Sequence, residues 1–157
     1  MKKNKVSDVT KAYRSAIADR ATWFYLLLRA AEEKGVDGEE LAAKAITEYG
    51  VEKGKQLGEI KNAADFAAAL FKGYGCQAFA MEKVKETEKE SILHFHHCEL
   101  VEAWRKKGLS PDEVSRLCRL ARYGDLGMIS NFPGLQLAFP KVIADGDDYC
   151  QLQITLV

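Results

Sequence analysis

The sequence predicts an α+β fold, with a helical amino-terminal half and an antiparallel sheet of about four strands packed against helices. Apolar residues in the first half recur at three- and four-residue steps, the spacing of one helix face. Beyond residue 75 the pattern changes, and two stretches with turn signals predict two hairpins with helices between them. Segregated strands and helices favour a sheet backed by helices. We expect one domain over 1–157, with a helical part at 1–75 and an α+β part at 76–157.

Three helices are expected in the first half. Ser7 or Asp8 is a suitable amino-terminal cap for the first of them. The second fits residues 38–50, with Gly50 as the stop signal. Asn62 is a suitable cap for the third.

The second half begins with a hairpin whose charged tip, "KETEKES", suits exposure to solvent. Two helices follow, and the second opens with a capping box that carries proline at its first position: Ser110, Pro111 and Glu113. The carboxyl-terminal stretch predicts two strands joined by a turn around Asp145-Gly146. In the last strand every second residue is apolar, which gives one buried face.

Composition restricts the classes of partner. Lys and Arg total 23, and Asp and Glu also total 23, so the formal net charge is zero. The net charge therefore gives no reason to expect binding to nucleic acid or to an anionic membrane. The aromatic and aliphatic run "WFYLLL" has only six residues, far short of a membrane span or a secretory core. The four cysteines form no CxxC pair and read as free thiols. We therefore expect a cytoplasmic protein.

The segment "HFHHCELVEAW" holds all three histidines of the chain. On a strand, His94 and His96 share one face, while His97 lies on the other. Two histidines at this spacing can hold a divalent metal such as Zn or Mn, completed by Cys98 or a distant carboxylate. The open alternatives are histidines with a purely structural role and Cys–His chemistry.

Cysteines and acids elsewhere add further candidates. Cys98 falls where a strand ends and a helix begins, where unpaired amides favour a thiolate, although a small buried hydrophobe is the alternative. Cys118 lies on an apolar helix stripe, and Asp125, seven residues on, falls on the same face if the helix continues. A carboxylate there needs a cationic partner, a metal or a cationic substrate. Cys150 faces inward on the last strand, and Asp147 follows the turn.

These positions, taken in order, resemble the L-2-amino-thiazoline-4-carboxylic acid hydrolase family. The likeness rests on a cysteine before a helix (Cys98), on "LC" followed by "GD" (Cys118 and Asp125), and on the ending "GDDYC" (Asp147 and Cys150), and is clearest over 90–157. Family members often have proline after the first cysteine, where this chain has Glu99. The ending is also similar to 4-vinyl reductase domains, which are small-molecule-binding α+β modules.

The resemblance implies a hydrolase that opens the C–N bond of a cyclic amidine ring and gives a carbamoyl-cysteine. The family motifs include Cys98 and Asp125, and the histidine segment is not one of those motifs. From the chemistry of these side chains we expect Cys98, His96 and Asp125 as catalytic residues, and a substrate-binding group of Cys118, Asp147 and Cys150. Cys98 would attack with His96 as base, or a divalent ion on His94, His96 and Asp125 would activate water. Asp125 would pair with the amidine cation. The substrate carboxylate would bind one of three arginines: Arg116, Arg119 or Arg122.

Two other readings stay open. One is a non-catalytic small-molecule-binding or sensory module with the same fold, whose cleft would be mostly apolar. The other is an interaction protein that forms a homodimer through its long first helix.

Overall fold

Helices form the first half of the chain in the computed structural model, which describes residues 5–157. The Ser7 and Asn62 side chains accept hydrogen bonds from backbone amides and cap two of these helices, as predicted. Over residues 5–157, none of the helices combines the length and apolar character that a membrane span requires. The helices are α1 (Asp8–Glu33), α2 (Gly38–Lys55), α3 (Ala63–Leu70) and α4 (Gly75–Ala78).

The second half supplies the sheet and three more helices. Its elements are β1 (Met81–Glu86), β2 (Glu90–Phe95), α5 (Glu99–Lys106), α6 (Pro111–Ala121), α7 (Tyr123–Ile129), β3 (Leu135–Lys141), a 3-10 turn (Ile143–Asp145) and β4 (Cys150–Leu156). The strand order is β1-β2-β4-β3, and all pairs are antiparallel. The predicted capping box at Ser110 and Glu113 is formed, and Gly146 has a left-handed φ of 101°. The α+β class and the two hairpins are confirmed.

The register between β2 and β4 decides which side chains face the helices. Leu93 pairs with Leu152, and both side chains are buried. Phe95 pairs with Cys150 on the same face, because side chains alternate along a strand. His94, one residue along, therefore lies on the opposite, outer face of the sheet.

The hydrophobic core lies between the inner face of the sheet and the helices. Trp104 of α5 is fully buried, and its Nε1 donates a hydrogen bond of 2.9 Å to the carbonyl of Ala21 in α1. A buried indole N–H needs such a partner, so this bond fixes α5 against α1. Phe24 packs beside the Trp104 ring, with 6.3 Å between ring centroids.

Gly50 does not end the second helix, which continues to Lys55. The residue is needed for packing: a Cβ atom at Gly50 would lie 2.1 Å from the backbone oxygen of Gly124 in α7. A Cβ at Gly127 would lie 2.3 Å from the backbone oxygen of Thr47. Helices α2 and α7 thus approach backbone to backbone, closer than any side chain allows.

Candidate functional site

Cys98 lies at the junction that the sequence indicates, between β2 and α5. It is the amino-terminal cap of α5, with extended backbone angles (φ −135°, ψ 103°), and the helix begins at Glu99. Glutamate therefore serves as the first helical residue here, with its Oε2 lying 2.7 Å from His97 Nε2.

Three of the four cysteines come together on the inner side of the sheet. Cys98 at the start of α5, Cys118 in α6 and Cys150 in β4 all pack against the same buried cluster of apolar side chains. Cys150 raises the pKa of both Cys98 and Cys118, and Cys98 raises the pKa of Cys118. The Cys150 sulfur accepts a hydrogen bond from the backbone N–H of Ile143 at 3.3 Å. The three elements thus bring residues far apart in sequence into one thiol cluster.

Burial keeps these thiols protonated. It raises the pKa of Cys98 to about 11, although the backbone amides of Val101 and Leu100 at the start of α5 lower it. Burial likewise raises the pKa of Cys118 to about 12, and it raises the pKa of Cys150. The helix terminus was expected to favour a thiolate at Cys98, but loss of water outweighs it, so the thiol is the resting form.

Asp125 of α7 lies beside the thiol cluster. Its half-buried carboxyl lies close enough to Cys98 and Cys150 to raise the pKa of both thiols. Burial raises the pKa of Asp125 itself to about 6, and the cations Arg20 and Arg122 partly offset this. A carboxyl with a pKa near neutrality can both accept and return a proton, which is the property of a general acid–base group.

Of the three arginines that the sequence offered for the substrate carboxylate, Arg122 is the one near this site. Arg116 and Arg119 bind Glu39 at 2.7 and 3.1 Å and so tie α6 to α2. The Arg122 guanidinium lies over the ring of Phe139, 5.3 Å from its centroid. Its buried Nε finds no hydrogen-bond partner within residues 5–157. An N–H donor in this state is suited to an incoming anion.

The Asp147 carboxylate stabilises the loop before β4 and is therefore not free to face the thiols. Its Oδ2 accepts a 2.8 Å hydrogen bond from the backbone N–H of Val142 and closes the turn before β4. The neighbouring Asp145 accepts a hydrogen bond from Ser115 of α6 at 2.5 Å and anchors the same turn. Both acids position Cys150 at the beginning of β4.

The histidines do not join the thiol cluster. His96 Nε2 lies 2.7 Å from Glu82 Oε2 of β1, and His94 Nε2 lies 3.3 Å from Gln151 Oε1 on the outer face of the sheet. The structure therefore does not place His96 as a base beside Cys98. The structure likewise does not bring Asp125 to His94 and His96: Asp125 lies near Cys98 and Cys150, whereas the two histidines lie beside Glu82 on the outer face of the sheet. Strand alternation alone contained this information, since His94 must oppose its inward neighbours.

The sequence analysis did not identify Arg20, which lies near Asp125, or Glu82, which lies beside the histidines. Arg20 lies near the middle of α1, and nothing in its local sequence distinguishes it from the other arginines of the chain. Glu82 is the cross-strand partner of His94 in the β1–β2 register, which only a correct hairpin register reveals.

Two clefts lie elsewhere on the molecule. One of about 70 Å³ lies between α1 and α6, next to the ion pair of Arg116 with Glu32. The other is a shallow groove along α2 that is lined by Val36, Leu41 and Lys44. Neither is lined by Cys98, Asp125 or Arg122, so the candidate site remains the thiol cluster with its flanking acid and arginine.

Comparison with known proteins identifies the family of the chain. A search against curated proteins gives no match. The sequence matches the family described as L-2-amino-thiazoline-4-carboxylic acid hydrolase over residues 14–154 of its 157. This match extends through α1 and α2, well beyond the carboxyl-terminal motifs. The chain belongs to the L-2-amino-thiazoline-4-carboxylic acid hydrolase family.

Proposed function

We propose that this protein is a cytoplasmic hydrolase that opens the ring of L-2-amino-thiazoline-4-carboxylate or of a similar cyclic amidine bearing a carboxylate. The family supports hydrolysis. One observation carries the choice of site: Asp125, with a pKa of about 6, lies near two arginines and the thiol cluster. The free cysteines suit a reducing compartment.

In this proposal Asp125 is the general base and later the general acid. The ionised carboxylate accepts a proton from a water molecule as the water oxygen bonds to the amidine carbon. Asp125 then returns this proton to the ring atom that leaves. As the bond from the carbon to that atom breaks, the hydroxyl on the carbon becomes a carbonyl, and its proton passes through Asp125 to the released group or to solvent. The cationic amidine favours the ionised carboxylate, because an opposite charge lowers the pKa of an acid.

Arg122 binds the substrate carboxylate. Its buried Nε lacks a partner within residues 5–157, and a carboxylate oxygen would satisfy it. Phe139, beneath the guanidinium, holds the planar group in place. Substrate binding would therefore place the carboxylate at Arg122 and the amidine cation toward Asp125, so that the two charges of the substrate select its orientation.

In this proposal Cys98 lines the site as a neutral thiol and does not act as a nucleophile. With a pKa of about 11, only about one molecule in ten thousand carries the thiolate at pH 7. His96, which the sequence suggested as its base, bonds Glu82 on the other side of the sheet. Direct attack by water needs neither a thiolate nor this histidine.

The test is turnover of the thiazoline by purified protein and by two variants. Asp125→Asn is expected to lower kcat by about 10²–10⁴-fold, the usual contribution of a general base. Cys98→Ala is expected to retain activity within about tenfold, whereas removal of a covalent nucleophile abolishes turnover. Full activity of Asp125→Asn would contradict the proposal.

The products identify the bond that breaks. Opening the C–N bond, as the family resemblance suggests, releases a primary amine, whereas opening the C–S bond releases a thiol. An amine reagent and a thiol reagent applied to the same reaction mixture distinguish the two.

The second candidate is a small-molecule-binding module without catalysis. The protonated state of Cys98 and Cys118 favours it, because the site then holds no ready nucleophile. Calorimetric binding of the thiazoline without turnover, lost in Arg122→Gln, would support this function instead.

A further inference from the structure

The outer face of the sheet carries a second group of side chains that the proposed function does not use. Glu82 of β1, His94 of β2 and His96, just after β2, each offer a ligand atom, and these atoms lie within 4.8 Å of one another. Glu82 and His94 are direct cross-strand partners, and His96 follows two residues along the same face. We propose that these three residues form a binding site for one divalent transition-metal ion of the Zn²⁺ class.

The donor set determines the class of metal. Two imidazoles and one carboxylate are the ligands of a three-residue zinc site, in which water occupies the remaining position. Hard ions such as Mg²⁺ and Ca²⁺ prefer a shell of oxygen atoms, so a set with two nitrogens disfavours them. The carboxylate of Glu82 already lies 2.7 Å from His96 Nε2. A bound ion would replace the proton that these two groups share, at metal–ligand distances of about 2.0–2.2 Å.

The surroundings hold the histidines in place. Tyr149 stacks on the His94 ring with 4.1 Å between centroids, and the His96 ring lies 5.9 Å from that of Tyr149. His94 Nε2 lies 3.3 Å from Gln151 Oε1, a contact that fixes ring orientation as outer-shell partners do at metal sites. The sheet ladder fixes the spacing of the backbones, so the site is built on rigid elements.

Lys141 places a positive charge beside Tyr149, next to this site. Lys141 Nζ lies 4.9 Å from the centroid of the Tyr149 ring. The lysine is exposed and flexible, so it can move away from an incoming cation.

Titration of tag-free, metal-stripped protein with Zn²⁺ by calorimetry tests the proposal. We expect one ion per chain with a Kd in the micromolar range or below. Glu82→Gln and His96→Asn should each weaken binding at least about tenfold, since losing a ligand costs no less than losing an outer-shell partner. His97→Asn is the matched control, because His97 bonds Glu99 away from this group, and it should bind as the wild type does.

The buried cysteines are a competing zinc site, and Co²⁺ distinguishes the two. Ligation by Glu82, His94 and His96 gives visible d–d bands without sulfur-to-cobalt charge transfer, and His96→Asn should remove them. A charge-transfer band that survives His96→Asn would overturn the proposal, as would millimolar binding that Glu82→Gln leaves unchanged. Neither result bears on the thiazoline assay, so the two proposals are tested separately.

Discussion

Replacing Asp125 with asparagine should stabilise the protein at neutral pH while removing its activity. Folding raises the pKa of this carboxyl from 3.8 to about 6. Between those values the native chain keeps a proton that the unfolded chain releases. The free energy of unfolding therefore falls as pH rises through this interval, and above pH 6 the native state carries the whole cost of a buried carboxylate.

The size of this cost follows from the change in pKa. A rise from 3.8 to about 6, at about 1.4 kcal/mol for each pH unit, corresponds to about 3 kcal/mol. This is an upper limit, because the side chain is half-buried rather than sealed from water. Asparagine has nearly the same shape and no charge. Asp125→Asn should therefore raise the free energy of unfolding by up to about 3 kcal/mol at pH 7.5 and by less than about 1 kcal/mol at pH 4.

Urea unfolding of both proteins at pH 4 and pH 7.5 measures the difference. Asp19→Asn, at an exposed position on α1, is the control and should change stability equally at the two pH values. A variant at Asp125 that is no more stable than the wild type at pH 7.5 would refute the reasoning. So would a stabilisation that is the same at both pH values.

Three further predictions concern the site, the packing and the surface. Arg122→Gln should raise KM for the thiazoline about 10–100-fold and shift the acidic limb of the pH–rate profile to higher pH, whereas Arg119→Gln should change neither. Gly127→Ala should lower the free energy of unfolding by about 1–3 kcal/mol in urea titrations, while Gly124→Ala, whose Cβ meets only ordinary contacts, should not. Trp23 on α1 is 71% exposed, and we expect it to lie at the centre of the homodimer interface. Trp23→Ser should therefore weaken self-association in sedimentation experiments. A wild-type protein that is monomeric at all concentrations would contradict this expectation.

Local signals predicted most of the fold. Side-chain caps at Ser7, Asn62 and Ser110 mark three helix starts, and the alternation in the last strand assigns its buried face. These features depend on neighbours within a few residues, which a single sequence contains. Gly50 was misread because its role depends on α7, more than seventy residues away, and no local pattern announces such a contact.

The site was predicted less completely. The sequence singled out Cys98, Cys118, Cys150 and Asp125, and the fold brings these four together. His96 and Cys98 are close in sequence, but the structure places His96 beside Glu82 on the outer face of the sheet and Cys98 against the inner core. The protonation state of the thiols also depends on burial, which emerges only when distant helices have packed.

The close approach of α2 and α7 affects how loss-of-function variants would be interpreted. Any side chain at Gly50 or Gly127 would push α7 outward and carry Asp125 away from Cys98 and Cys150, which lie on other elements. A mutagenesis screen scored by enzyme activity alone would therefore recover these glycines beside the acid and the arginine. Variants at these glycines would lose activity because the two helices are forced apart, and not because a catalytic group is lost. A parallel measurement of folding would distinguish the packing variants from the catalytic variants.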